Sequence, residues 1–439
     1  MHLAFLRDYH EAQVLALART RPVIERGTVA EFTGLTPQAA SKVLARLLEE
    51  GVIEPAGVRR PALGKPAAVY RLVPESRWAI GAHVTRRNLR LALTDLAGDI
   101  HDRATTPLPA DFTPAQLLSR LAAGVTTMIT RNDLSVPDPA DRARRAPQVH
   151  PADAGRRAPG SLPGDGDGDG DGERNDGAVG GDGGSRGSIG RNGGGGERNG
   201  GAGRAASPPA DDGQGPVRRL AGVGIGMIGP LDQATGTVRD AHRLRHWHDI
   251  PLADLAATAL GLPVVVDKDV TAAVTAEAWR RGPAFRDAAL IMVESGVGAG
   301  LWLGGAAHRG AHTNAGEFGH AVVQLDGPRC ACGRRGCLEA VHDQATDPAV
   351  AAAVLGVGVV NLLQTLDLGQ IVLAGADLLA HGELYRDVVE QAVRTQVPRA
   401  DWLTVEVSLT SLGTDVIAAG AAMQVLNSRY GLPAPTGLR

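Results

Sequence analysis

A chain of 439 residues, 43% of them hydrophobic, has room for two or three domains around a large apolar core, which excludes a small stapled scaffold. A formal charge of −3 excludes wholesale coating by nucleic acid but leaves room for one small basic module. Three cysteines are an odd number, and a reducing compartment keeps thiols free, so a metal site is the better expectation than a disulfide framework. The start, MHLAFLRDYHEAQ, is charged within seven residues and has no apolar core followed by a cleavage site, so no signal peptide is expected and the chain is assigned to the cytoplasm. The longest apolar run, roughly residues 349–363, is too short for a bilayer, and Asp347-Pro348 before it is an N-cap and N1 signature of a buried helix. No membrane partner is expected.

The first 75 residues have their own pattern. In GTVAEFTGLTPQAASKVLARLLEEG, Thr28 and Glu31 are placed as a capping box, and Gly34 is placed to end a short helix. Thr36 then caps a second helix with Pro37 at N1, and Ala40, Val43, Leu44, Leu47 and Leu48 form an apolar stripe that Gly51 closes. Residues 11–19 supply a supporting first helix. The following VIEPAGVRRPALGKPAAVYRLV suits a two-stranded wing with Arg59, Arg60 and Lys65 near its tip. Together these predict a winged helix-turn-helix over residues 1–75. Opposite the buried stripe the second helix offers Thr36, Gln38, Ser41, Lys42 and Arg46, side chains that reach base edges or phosphates when such a helix enters a major groove. The alternative is a small helical bundle whose polar face is merely solvated.

Residues 76–439 alternate strands and helices: AIGAHV, LRLALTDLAGDI, GVGIGMIGP, PVVVDKD, ALIMVESGVGAGLWLGG and QIVLAG are strand-like, with glycines at their ends. An α/β domain with helix-covered sheets follows. From about residue 131 to 216 the text becomes GDGDGDGDG, GGDGGSRG and RNGGGGERNGG, with 23 of the 58 glycines and almost no large apolar residue. Such a segment cannot bury enough surface to offset its ordering entropy, and it reads as a disordered insertion within one domain. Its GDGDGDG run matches no calcium-loop pattern. The glycine-rich ESGVGAGL lets backbone amides approach an anion or simply forms a tight hairpin.

All three cysteines fall in GEFGHAVVQLDGPRCACGRRGCLEA. Cys330, Cys332 and Cys337 have the spacing C-x-C-x4-C, with Gly333 and Gly336 able to bend the loop, and His320 is the nearest candidate for a fourth ligand. Cys3His is a closed zinc set, hence one structural Zn2+ per chain; three buried thiols are the alternative.

The run E-x-G-H followed by C-x-C-G-x-x-G-C-x-E, here Glu317, Gly319, His320, Cys330, Cys332, Gly333, Gly336, Cys337 and Glu339, resembles the signature of the ROK family (repressors, open reading frames and sugar kinases). The winged helix ahead of it resembles the family's repressor branch. The resemblance implies a two-lobed, actin-like ATPase (ribonuclease H-like) fold, a zinc-stabilised loop beside a sugar cleft, and homodimers or homotetramers binding an inverted-repeat double-stranded DNA operator. By the same resemblance Glu317, His320 and Glu339 match sugar-contacting positions, His320 is also a zinc ligand, and Asp269 in VVVDKDVTAA stands where the kinases have their general base. Read alone, Asp269 would be a helix N-cap.

Departures from the family pattern point away from catalysis. Its kinases open on an Asp-x-Gly-Gly-Thr-Lys phosphate loop; here the text is AIGAHVTRRNLR, with His83 in place of the aspartate and no glycine pair. The late Gly-Gly becomes AGA at Ala374, Gly375 and Ala376, and Lys268 replaces the asparagine of sugar-binding members, placed to pair with Asp269 or Glu317. These changes predict a ligand sensor without catalytic residues, in which Asp269 is vestigial and Lys268 borders a site for a sugar or sugar-phosphate effector. A sugar kinase carrying a DNA-binding extension is the competing expectation. The cluster HRLRHWHD at residues 242–249 fits no compact ligand set and reads as surface or cleft rim.

Overall fold

Local sequence rules set the first helices. In the computed structural model, which describes residues 3–60, 66–136, 218–241, 244–397 and 403–431, helix α1 spans Leu3–Thr20, the two-residue strand β1 is Ile24–Glu25, and α2 is Arg26–Thr33. The expected capping box at Thr28 does not form. β1 pairs with a later strand (Ile24 opposite Tyr70, Glu25 opposite Val69), which holds Glu25 extended, so the helix begins directly after it with Glu25 as N-cap and no side-chain cap bond. Gly34 ends α2 at φ 69°, a left-handed conformation that glycine adopts without a Cβ penalty. Helix α3 (Pro37–Glu49) starts as its sequence requires: Thr36 Oγ1 accepts a hydrogen bond from the Ala39 amide at 3.3 Å, and Pro37 occupies the first turn. It buries Ala40, Val43, Leu44 and Leu47, and Gly51 follows at φ 66°. Strands β2 (Ile53–Arg59) and β3 (Ala67–Leu72) pair antiparallel as a hairpin after α3, where the sequence places a wing; Lys65 at its expected tip lies outside the described residues.

The remainder is one topology used twice. In the first lobe β4 (Arg77–Val84), β5 (Asn88–Asp95) and β6 (Ile100–Pro107) form an antiparallel meander, followed by helix α4 (Pro114–Arg131). Strand β7 (Arg219–Met227) then lies parallel to β4. A small sheet of β8 (Leu231–Asp232), β9 (Thr237–Asp240) and β10 (His248–Ile250) precedes helix α5 (Leu252–Leu260), and β11 (Val264–Lys268) adds parallel to β7 before helix α6 (Asp269–Arg281). The sheet order is β11-β7-β4-β5-β6.

The second lobe repeats it. Strands β12 (Ala288–Val293), β13 (Val297–Leu303) and β14 (Ala306–Ala307) form the meander. Helices α7 (Leu338–Gln344) and α8 (Pro348–Leu366) follow, then β15 (Gln370–Ala374), α9 (Ala376–Leu379), α10 (Gly382–Gln396), β16 (Glu406–Leu409) and α11 (Val416–Tyr430). The order β14-β13-β12-β15-β16 matches that of the first lobe strand for strand, which makes α6 and α11 equivalent helices.

These two helices pack on each other through small residues. A Cβ on Gly420 of α11 would lie 1.8 Å from the Ala272 oxygen of α6, and one on Gly81 of β4 would lie 1.7 Å from the Ala418 oxygen. Only glycine permits such backbone approach.

The chain on either side of residues 137–217 comes together: the Ser135 amide bonds to the Arg218 oxygen at 2.9 Å and the Leu220 amide to the Ser135 oxygen at 3.0 Å. The chain therefore leaves and re-enters the first lobe at one point; the expected disordered segment itself lies outside the described residues. Helix α8 is longer than the expected apolar run, and its 19 residues are long and apolar enough to cross a membrane by length and composition. Here it buries Ala352, Leu355, Val359 and Leu363 in the second lobe's core beside Val389 of α10, with Asp347 Oδ1 capping it by accepting from the Ala349 amide at 2.8 Å.

Candidate functional site

The sequence places its chemistry at the joint between β11 and α6. Lys268 is the last residue of β11, and Asp269 opens α6. Asp269 is therefore the first helical residue rather than the cap, which is Lys268; its Oδ1 accepts from the Val270 amide at 2.7 Å. Lys268 is almost wholly enclosed, its side chain 5% exposed, and Nζ donates to Glu317 Oε1 at 2.7 Å and to the Ala315 oxygen at 3.1 Å. Of its two expected carboxylate partners, it takes Glu317.

Burial pushes the Asp269 carboxyl up to about 6, against the lowering effect of the Lys268 ammonium and the Val270 amide. In the folded chain the group thus holds its proton over a pH range where an unfolded aspartate has lost it, and its ionisation opposes folding increasingly as pH rises from about 4 to 6. Asp269→Asn is accordingly expected to raise Tm more at pH 8 than at pH 5, read by thermal melts at both; an equal gain at the two pH values would contradict the desolvated carboxyl.

Glu317 and His320 come from the turn after β14. Gly316 stands at φ 89°, and a Cβ there would meet the Ala299 oxygen at 1.9 Å, so the turn lies flat on β13 only with glycine. An anchor that the sequence reading missed holds this loop. Asp267, fully buried in β11, accepts from Arg309 Nε and Nη2 at 2.9 and 2.7 Å and from Gln424 Nε2 of α11 at 2.9 Å. A buried carboxylate needs such partners, and Arg309 ties the loop to the strand that presents Lys268 and Asp269.

His320 continues into a metal-ligand set. Its Nδ1 lies 3.6 Å from Cys330 Sγ, Cys332 Sγ lies 3.6 Å from Cys337 Sγ, and the four ligand atoms are all within 4.8 Å of one another. A tetrahedron with zinc–ligand bonds of 2.0–2.3 Å has edges of about 3.5–3.8 Å, so the spacing and donor chemistry fit zinc. Burial and the adjacent sulfurs push the Cys337 thiol up to about 12, as expected where thiolates crowd together and a cation would be the natural compensation. Gly333 at φ 89° and Gly336 at φ 66° turn the loop; a Cβ on Gly336 would lie 1.5 Å from the Gln324 oxygen. Cys337 is the N-cap residue of α7, which fixes Glu339 in the helix's first turn. Glu339 Oε2 accepts from the Val297 amide at 3.0 Å and approaches Gly296 so closely that a Cβ there would sit 2.9 Å away. The glycine-rich ESGVGAGL turn thus cradles a carboxylate of the protein itself.

Opposite, the first lobe has no phosphate loop. The Arg87 and Asn88 amides donate to Thr85 Oγ1 at 3.2 and 2.9 Å, so this turn spends its donors on itself. His83 is buried, with Nδ1 lacking a partner, and desolvation followed by the Arg90 charge pulls its pKa down to about 3, leaving a neutral ring at this position. Arg86 reaches across the cleft, Nη2 donating to the Ser295 oxygen at 2.7 Å, and Arg90 Nη1 lies 3.3 Å from Glu294 Oε1 and donates to the Thr414 oxygen at 3.3 Å. These bridges join residues more than 200 positions apart and left no sequence signal beyond the missing glycines. Gly375 of the altered AGA keeps φ 102°, and a Cβ there would meet the Val293 oxygen at 2.1 Å.

In the N-terminal module Thr36, Gln38, Ser41 and Lys42 are exposed on one face of α3, and Arg60 is exposed beside the wing. Arg46 is turned back to Glu11 of α1 at 2.8 Å, and Arg59 pairs with Glu25 at 2.9 and 2.5 Å. In the histidine-rich segment His246 lies 3.8 Å from Asp111 and His248 3.5 Å from Asp249, while Trp247 is buried with Nε1 donating to the Phe112 oxygen. These groups share no centre; His242 lies outside the described residues.

The fold and site define a two-lobed, actin-like domain carrying a Cys3His cluster behind a winged helix. Residues 210–354 match the model of the ROK family, and the chain carries a ROK family domain. Among curated proteins it is similar to a putative xylose repressor of Caldicellulosiruptor sp. (36% identical over 137 residues, 30% of this chain and 32% of that one). It is also similar to a glucokinase of Thermotoga maritima (38% over 120 residues, 27% and 38%). The aligned part spans about a third of the length of these relatives. Among solved structures, a ROK family transcriptional regulator, a homolog of the E. coli MLC protein, superposes with a TM-score of 0.62 at 18% identity over 97% of this chain and 98% of that one. A ROK hexokinase from Thermus thermophilus gives 0.51 at 19% over 80% and 98%. These likenesses show the fold, including its N-terminal module.

Proposed function

We propose that this protein is a DNA-binding transcriptional regulator, a repressor of sugar transport or catabolism genes, whose ROK domain senses a sugar or sugar-phosphate effector without phosphorylating it. The observation that carries this reading is the exposed polar face of α3, with Thr36, Gln38, Ser41 and Lys42 side by side next to the wing. That is the arrangement a recognition helix needs in a major groove. The similarity to a xylose repressor and to a full-length ROK regulator supports it. One structural zinc per chain, bound by His320, Cys330, Cys332 and Cys337, holds Glu339 and His320 at the effector cleft. The protein acts in the cytoplasm as a homodimer or homotetramer, two recognition helices reading an inverted repeat, and the effector favours a lobe arrangement that mismatches the half-site spacing. Specific retardation of the DNA upstream of its own gene is the expected result in a gel shift; a complete lack of it across that region would contradict the reading.

A sugar kinase is the second reading. Asp269, with its carboxyl at about 6 on the cleft floor, is suited to accept a hydroxyl proton, and glucokinases are among the relatives. Against it stand the self-satisfied Thr85–Asn88 turn, buried His83 and the arginine bridges. ATP consumption with a hexose, lost in Asp269→Asn, would establish it instead.

A further inference from the structure

Resting on the regulator reading, we propose that β4, α6 and α11 form one rigid block that carries cleft residues at one end and the anchors of the DNA-binding module at the other. In this block Arg77 and the Arg19–Trp279 stack are the positioning contacts.

Each rod has chemistry at both ends. Helix α6 begins with Asp269 in the cleft and, about 20 Å along at 1.5 Å per residue, ends under α1. There the Arg19 guanidinium stacks 3.6 Å over the Trp279 ring, whose Nε1 donates to the Leu96 oxygen at 3.1 Å. Arg19 Nε and Nη1 are buried with no hydrogen-bond partner, so the indole face is the group that offsets the desolvated charge. A Cβ on Gly282, just past α6, would lie 2.3 Å from Thr20 Cγ2, so the end of α1 rests directly on that turn.

Strand β4 starts at Arg77, which is buried. Its Nη2 donates to the Glu50 oxygen at the C-cap of α3 at 3.0 Å, and its Nε to the Tyr430 hydroxyl at the end of α11 at 2.7 Å. About 26 Å away, at 3.3 Å per residue, β4 ends at the Thr85–Asn88 turn, where Arg86 grips the second lobe. The glycine-mediated contacts of Gly81 with Ala418 and Gly420 with Ala272 leave no room for the rods to slide independently. The hydrophobic core confirms the unity: Leu15, Leu17, Val43 and Leu47 of the N-terminal module lie in one cluster with Trp279, Ala419 and Met423. A movement at the cleft end has to appear as a reorientation of the recognition helix, because the block is packed to act as one body.

The test follows amide hydrogen exchange in the full chain, with exchange in α8 and α10, whose core residues form a separate cluster, as the control for an intact fold. Lys268→Ala, which releases Glu317 at the cleft, is expected to change exchange in residues 14–20 and 46–52 by about threefold or more, and Trp279→Leu or Arg77→Lys to remove that response. Unchanged exchange in both segments for Lys268→Ala, or the same response with and without Trp279, would overturn the proposal. Operator retardation, measured on the same proteins, separates the readings: a normal exchange response in a protein that retards no DNA upholds the block and sinks the regulator.

Discussion

Cys337→Ser is expected to lose zinc to dialysis against a chelator and to lower Tm by roughly 5–10 °C relative to the wild type. The magnitude follows from what the ligands join. Cys330 and Cys332 sit in the turn between two elements, the short helix that ends at His320 after the loop from β14, and α7, which Cys337 heads. With Cys337 replaced and the metal gone, the remaining sulfurs of Cys330 and Cys332 repel wherever they ionise, and the loop must order without a cross-link. The consequence reaches the cleft, since Glu339 lies two residues beyond Cys337 and its bond to the Val297 amide holds the glycine-rich turn. Metal analysis and melts with and without chelator check this. Zinc below about half an equivalent per untreated wild-type chain, or a Tm unmoved by Cys337→Ser, would remove zinc from the account.

The second large effect is expected at Lys268. Its ammonium takes up Glu317, a predicted sugar contact, from within the protein, so a neutral sugar must compete with a buried lysine for that exposed carboxylate. Lys268→Asn removes the competitor and supplies an amide that both donates to and accepts from hydroxyls. Added D-glucose or D-xylose is therefore expected to stabilise the variant by several degrees while shifting the wild type by under about 1 °C, because stabilisation by a ligand grows with its concentration relative to Kd. Equal shifts in the two proteins would show that Lys268 does not guard the site.

What could be read in the sequence was what short-range rules determine. Thr36-Pro37, Gly34 and Gly51 fix the ends of α2 and α3 through capping and left-handed turns, and both positive φ values are present. The C-x-C-x4-C spacing gathers its ligands because two glycines turn a loop of eight residues. The capping box at Thr28 failed for a tertiary reason: pairing of β1 with β3 holds Glu25 extended and starts the helix early. Apart from the Lys268–Glu317 pair, which the resemblance placed within reach, the long-range polar contacts were not legible. Arg77 meets Tyr430 across 353 positions, Arg86 meets Ser295 across 209, and Asp267 looked like one more residue of a buried strand until Arg309 and Gln424 converged on it. The twofold use of one sheet order was hidden as well, because the glycine-rich insertion separates β7 from the meander it completes.

The central claim is that α3 reads DNA while the ROK domain senses. Its most direct measurement is the affinity of wild type and of Lys42→Ala for the chain's own upstream DNA across a salt series. The account predicts specific binding whose affinity falls steeply with salt, with the slope of log K against log salt smaller by about one for Lys42→Ala. Specific binding absent from the wild type, or wholly insensitive to Lys42→Ala and to Gln38→Ala, would contradict it.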